Sequence, residues 1–479
     1  MNYLIWPIAI FIADYLHATF PTYFGKRIQL YAYILFICIA LIKSKGEIPK
    51  DSFNKKVIQF IGIFLVMQLV SMFLSNVRIG AAAYNKNPIT TFVAFFGFLV
   101  GIIIHYYVVR LNINSFKDIK KFLRGGWIAL LITLTVCLLQ LCYLFMPSIF
   151  KPVVEFIGNT MEASWDGIYA TTFDETSFYK LGSYVQTTLR LNGLTEEAPS
   201  LATQVFVIFV PFILASIKNQ FNVFGSKDNK MYPLYISTIL ILIILIMAKT
   251  TSGFLFAGII LIMLMKNMTG LQRTAVLAVT ILGCFLLYQF NFKNQYLMDS
   301  VNNFLLNKNQ DSVSNRAGNT LALLETTFKN FVLGIGWEYH SYYIFDNLPE
   351  WARHNTEYFG YLKKGEFSVL TVLLSWTAEY GLLIVGIVVA YIVKTQKQFR
   401  KLSVQSSEIN LNESKLIKVL CDASYYYLIF TLISSLFLYV WYTSVYLIVY
   451  FFFVSIIQLL KRNVSINASN KVEGLYEEN

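Results

Sequence analysis

The stretch Pro233–Met265, PLYISTILILIILIMAKTTSGFLFAGIILIMLM, holds two apolar runs separated only by Lys249-Thr-Thr-Ser-Gly253. At about 1.5 Å of rise per residue, a sixteen-residue helix reaches ~24 Å, short of a hydrocarbon core about 30 Å thick. The pair therefore reads as a membrane hairpin whose turn is sunk below the surface, in a cavity. Similar runs recur at 3–20, 28–42, 57–74, 89–109, 127–146, 199–217, 274–291, 369–393, 425–440 and 443–460. Together they predict an all-α polytopic membrane protein with twelve transmembrane helices. A content of 56% apolar and only 14% charged residues excludes an ordinary soluble domain. The first run carries Asp14 and His17, and no small-residue cleavage site follows it, so it reads as a retained span and not a cleaved signal.

Twelve spans place both termini on one side, and the basic residues say which. With the N-terminus cytoplasmic, the inner segments hold 24 of the 39 Lys and Arg residues, and the positive-inside rule puts both termini in the cytoplasm. The net charge of +12 then follows from topology and needs no nucleic-acid partner. Residues 1–462 form one membrane domain with external loops at 147–200 and 292–368, and 463–479 read as a polar, disordered cytoplasmic tail. Cys38, Cys137, Cys142, Cys284 and Cys421 lie in or beside apolar runs, where cysteine packs as a small hydrophobe, and no Cys/His spacing suits a metal. Gly334-Ile-Gly336 lacks the third glycine and the strand–helix context of a dinucleotide site, and no phosphate-binding loop of the ATPase type is present.

In this topology the sixth, eighth and tenth helices start outside, where open helix N-termini attract anions. Arg190 precedes the sixth, which opens on Pro199 and Ser200, and Lys249 opens the eighth beside three hydroxyls and Gly253. Arg190 is read either as an anion ligand or as a loop partner of Glu196 or Glu197; Lys249 either binds phosphate or snorkels to the interface. In the 77-residue loop 292–368, Leu321, Leu324, Phe328 and Phe331 stand at helical spacing and predict a helix lying on the bilayer. Arg316 sits at its start, where a cation opposes the helix dipole unless an anion is near. After Gly336 come Trp337, Tyr339, His340, Tyr342, Tyr343, Trp351 and His354, whose rings suit either sugar faces or the membrane interface. His354, within Arg353-His354-Asn355, is the first candidate for a general base, with His340 and Glu197 as alternatives. Asp14, His17 and His105 read as contacts within the bundle, and Glu379, eleven residues into the tenth run, as a paired structural brace.

Taken in order, Arg190-x-x-Gly193-x-x-Glu196-Glu197-x-Pro199-Ser200, Thr250-Thr-Ser-Gly253-Phe-Leu, Asn315-Arg316, Phe328-Lys-Asn-Phe-Val-Leu-Gly-Ile-Gly336 and Glu379-Tyr-Gly381-Leu-Leu resemble the O-antigen polymerase/ligase superfamily of bacterial envelope glycan enzymes. The resemblance covers about residues 186–390, and its first element is more similar to polymerases than to ligases. It implies a multi-helix membrane glycosyltransferase fold in the bacterial cytoplasmic membrane. It also implies an undecaprenyl-pyrophosphate-linked glycan as donor at the external face, with no metal or other cofactor. By the same resemblance Arg190 and Lys249 hold the pyrophosphate, Arg316 is a second clamp candidate, and His354-Asn355 stands for the family's His-Asn pair. That pair lies 25 residues before Glu379, farther than in the family pattern, where Ser368 is nearer the usual place. Lys249 stands where the family has arginine. The expected activity is the joining of repeat units into O-antigen, capsular or exopolysaccharide, with a chain-length regulator and a flippase of the same pathway as expected partners. The alternatives are a ligase transferring finished glycan to an acceptor and a lipid-linked oligosaccharide flippase; the lack of an internal repeat and the long external loop disfavour the flippase.

Overall fold

A computed structural model describes residues 1–12, 28–49, 54–80, 86–160, 183–225, 230–266, 310–367, 369–405, 411–437 and 441–477, with isolated positions between some of these segments. Every regular element among them is helical. After an N-terminal turn (Ile5–Pro7) come α1 (Ile28–Lys43), α2 (Lys55–Ile79), α3 (Pro88–Asn112), α4 (Phe116–Phe145) and α5 (Pro147–Thr160). Then follow α6 (Ala198–Asn219), α7 (Tyr232–Met247), α8 (Thr251–Lys266), α9 (Gln310–Lys329) and α10 (His340–Asn347). The chain continues through α11 (Thr356–Lys364), α12 (Val372–Tyr380), α13 (Leu382–Gln405), α14 (Leu411–Ser434) and α15 (Ser444–Glu477).

Seven of these helices, α2, α3, α4, α6, α13, α14 and α15, contain stretches long and apolar enough to cross a membrane, while α1, α7 and α8 are apolar but shorter. The expected span at 3–20 is described only to residue 12, and that at 274–291 falls almost wholly outside the described residues, as do Asp14, His17, Cys284 and Ser368. Two expectations change. The tenth run is not one helix: it breaks at Gly381 into α12 and α13. The tail read as disordered continues α15 helically to Glu477.

Local chemistry starts the helices where they start. Asn54 and Asn87 each accept an N–H of the first turn of α2 and α3, and Pro88 needs no donor at that position. Ser115 and Asp118 reciprocate at α4, the Ser115 Oγ accepting from Asp118 N and the Asp118 carboxylate accepting from Asn114 N. Helix α6 is the centre of the bundle, enclosed by α7, α8, α14 and α15. Its Phe206 stacks between Phe256 and Phe430, both at 4.1 Å between centroids. A wide turn over Val205–Phe209 precedes Pro211, which can neither donate to nor pack under the preceding turn.

The polar contacts sort into two ends. At one, Asn2 donates to Asn112 O and Asp118, Arg462 donates to Asn114 O, and Lys218 pairs with Asp422 at 3.0 Å. Trp127 and Phe224 stack there at 5.3 Å, tying the start of α4 to the chain after α6. The other end carries the segments around 78–88, 189–197, 248–250, 330–382 and 435–444, joined by Arg78 donating to Asn330, Lys86 donating to Glu338 O and Leu373 N donating to Ser435 O.

Candidate functional site

Arg190 lies in a loop stapled to α4. The buried Gln140 donates Nε2 to Asn192 Oδ1 and Gly193 O, both at 2.9 Å, and its Oε1 accepts from Asn192 N and Gly193 N. Leu189 turns the chain with φ 53°, and Arg190 Nε then donates to Ala248 O at 3.2 Å, at the carbonyl end of α7. Next to that carbonyl, Lys249 also holds a positive φ, 50°, a conformation costly for a residue with a Cβ. Thr250 Oγ1 accepts from Gly253 N and so caps α8. Lys249 is only 4% exposed. Burial, reinforced by the Arg190 guanidinium, pushes its ammonium down to about 8. Two cations are thus held together at the mouth of a short hairpin. Glu197, half-buried, sits at the start of α6, and Glu196 beside it is exposed.

Sequence reading left Glu379 as a brace and His340 as a secondary base, and the fold brings the two together. His340 Nδ1 lies 2.6 Å from Glu379 Oε1, with the side chains 18% and 8% exposed. With the Glu379 carboxylate accepting, Nδ1 is the donor, and in that neutral tautomer the lone pair lies on Nε2. Nothing among the described residues hydrogen-bonds Nε2. Glu338 N also donates to Oε1, at 3.2 Å, from a residue strained to φ 63°.

The pair is held by a turn docked on the end of α12. Ile335 N and Gly336 N donate to Ala378 O and Glu379 O, closing carbonyls that the helix leaves open. The approach is so close that a Cβ on Gly334 would meet Glu379 O, and one on Gly381 would meet Val332 O. A polar stripe on α2 grips the other side: Gln68 bonds Glu379 O and Trp337 N, Ser71 bonds Leu333 O, and Ser75 bonds Ile335 O. Sequence reasoning missed this stripe. Its signal was present, since 68, 71 and 75 are the i, i+3, i+7 positions of one helix face in an otherwise apolar run.

Between α14 and α15, burial raises the Tyr442 hydroxyl, and Glu338, Glu379 and Glu196 add to the rise. The remaining candidates lie elsewhere. His354 is 69% exposed and 3.3 Å from Glu350, at the surface. Asn355 caps α11 and bonds Asn315, a structural duty. Arg316 is exposed on α9 with no side-chain hydrogen bond or ion pair among the described residues. Of the expected stripe, Leu321 and Phe328 are exposed on α9, Leu324 is half-buried and Phe331 is exposed just past the helix end, while Ala322 and Leu323 face the protein. His105 is a bundle contact, bonding Gly101 O and Ser444 Oγ. No protein-family model and no curated protein sequence matches this chain.

Proposed function

We propose that the chain is a membrane glycosyltransferase that polymerises lipid-pyrophosphate-linked oligosaccharide units at the external face of the membrane. The observation that carries this reading is the convergence of a two-cation clamp and a carboxylate-oriented imidazole at one end of a helical membrane bundle. An acceptor hydroxyl gives its proton to His340 Nε2 as its oxygen bonds the anomeric carbon of the lipid-linked chain. The bond from that carbon to the diphosphate oxygen breaks, and the electron pair leaves with the lipid diphosphate. Arg190 and Lys249 neutralise the charge that grows on it, the role a metal plays in other diphosphate transfers. Glu379 fixes the tautomer of His340 and stabilises the imidazolium. The exposed His354 gives up the role of first candidate base to His340.

The test is glycan analysis of a deletion strain complemented with Arg190→Ala or His340→Ala at normal expression. Single lipid-linked units accumulating outside are expected in both. Polymer of normal length from either variant removes that residue from the reaction. Long unattached chains in the deletion strain would make the protein a ligase, and substrate trapped on the inner leaflet would make it a flippase.

A further inference from the structure

We propose that Lys117, Lys120 and Arg124 of α4 form a binding surface for the headgroup of an anionic phospholipid, independently of the function proposed above. Arg124 lies sixteen residues, or ~24 Å along the axis, from the Gln140 that holds the Arg190 loop, so the cations stand at the other end of the bundle. The exposed residues Lys117, Lys120, Arg124, Ile128, Leu131 and Thr135 recur every three or four positions and form one column. The opposite face is packed, with Ile119, Phe122, Leu123, Ala129 and Leu130 fully buried. A Cβ on Gly125 would meet Tyr3 O and one on Gly126 the Trp6 ring, so close packing on the N-terminal segment fixes the direction in which the column faces.

From Ile128 onward the column belongs to a helix long and apolar enough to cross a membrane, and its exposed side chains face lipid. The cations continue that column without a step. They cover ~10 Å of helix axis, against roughly 5–8 Å for the headgroup layer on each side of a bilayer. None of the three makes a side-chain hydrogen bond or ion pair among the described residues. Asp118, the acidic residue of the first turn, is already taken by Asn2 Nδ2, Asn114 N and Ser115 Oγ. Cations near a helix N-terminus oppose its dipole, and a bound phosphate relieves that opposition. A soluble acidic protein would meet the cations alone. A phospholipid meets the whole column, its headgroup at Lys120 and Arg124 and its acyl chain along Ile128 and Leu131. The exposed Lys394, Lys397 and Arg400 of α13 supply a comparison, since they lie toward the C-terminus of their helix, where a cation does not oppose the dipole.

The full chain in zwitterionic micelles is titrated with pyrene-acyl phosphatidylglycerol and with phosphatidylcholine of the same chains, and binding is read by energy transfer from tryptophan. Phosphatidylglycerol is expected to bind about five- to 25-fold tighter, since each cation near an anionic headgroup supplies about fivefold. Neutralising the column with Lys117→Gln, Lys120→Gln and Arg124→Gln together should bring that ratio close to one. The matched α13 variant, with Lys394→Gln, Lys397→Gln and Arg400→Gln, should keep most of it. Lys120→Gln and Arg124→Gln taken singly should each lower the ratio severalfold, and they decide the matter if the triple variant does not fold. No preference in the wild type, an unchanged ratio in the α4 variants, or an equal loss from the α13 variant overturns the site. Displacement of the lipid by an equal concentration of its deacylated headgroup, glycerophosphoglycerol, gives the cations to a soluble anion and overturns it as well.

Discussion

His340 and His354 are fourteen residues apart and chemically identical, so what separates them is environment. One is enclosed and oriented by Glu379 at 2.6 Å; the other is 69% exposed beside Glu350. In the proposed reaction His340→Ala should lose about 100- to 10,000-fold in polymer formation, the usual worth of a positioned proton acceptor, and His354→Ala should change little. In vitro chain extension on a synthetic lipid-linked unit measures both, and equal losses would defeat the assignment. Lys249 gives a second prediction at this scale. Its ammonium is lowered to about 8, and a bound diphosphate favours the charged form, so affinity is full below that pH. Above it, binding must take up a proton, and affinity should fall by up to about tenfold per pH unit. Lys249→Arg stays charged throughout and should flatten the fall in citronellyl diphosphate affinity measured from pH 7 to 10. The sequence showed Arg190 and Lys249 as cations at helix mouths, because charge in apolar surroundings is visible locally. It did not show that Glu379 would choose His340, because that contact closes over 39 residues and depends on a helix break.

That break belongs to the element scale. A hydropathy run cannot distinguish one long helix from two joined at a glycine, since Gly381 is tolerated in either. What decides is the backbone: Gly381 adopts φ 81° and ψ 144°, a region reserved for glycine, and Val332 O occupies the space a Cβ would take. Gly381→Ala should therefore cost about 1–3 kcal/mol from the backbone alone, and more from the clash. It should lower the unfolding temperature in detergent and uncouple Glu379 from His340. Gly386→Ala, where nothing lies within 4 Å of the added carbon, is the neutral control. The loop bearing Arg190 depends in the same way on Gln140. Gln140→Leu preserves the apolar character of α4 but leaves Asn192 N and Gly193 N without their acceptor. Each buried orphan costs about 1–3 kcal/mol. Citronellyl diphosphate should bind more weakly to this variant, because the loop that carries Arg190 loses its hold on α4. Gln140, alone in an apolar run, and the stripe Gln68, Ser71 and Ser75 both carried a polar signal that the sequence reading passed over. Their partners were not legible, because an amide that donates and accepts says nothing about which backbone it will meet.

For the molecule as a whole, the proposed function requires that clamp and base share one face of the membrane, and the two ends of the bundle make this a question of labelling. The all-helical membrane class came from hydropathy and needed no partner information, which is why that level of the fold was the most legible; of the twelve spans read from the sequence, seven described helices are long and apolar enough to cross a membrane. Sidedness came from the Lys and Arg bias, a weaker signal than hydropathy because the two loops read as external carry basic residues too. The structure adds contacts that bind distant segments to a common end: Arg190 to Ala248, Lys86 to Glu338 and Leu373 to Ser435 at one, Lys218 to Asp422 and Arg462 to Asn114 at the other. Single cysteines are placed in a background from which the five native ones have been removed. Leu189→Cys and Thr443→Cys report on the site end, and Glu47→Cys and Lys397→Cys on the opposite end; all four positions are exposed. In intact cells a membrane-impermeant maleimide should modify the first two and spare the second two until the membrane is opened. Labelling of 189 and 443 from opposite faces would contradict the shared pocket itself. Labelling of both only after permeabilisation would leave the pocket intact and turn it toward the cytoplasm, where a lipid-linked chain awaiting polymerisation outside could not reach it.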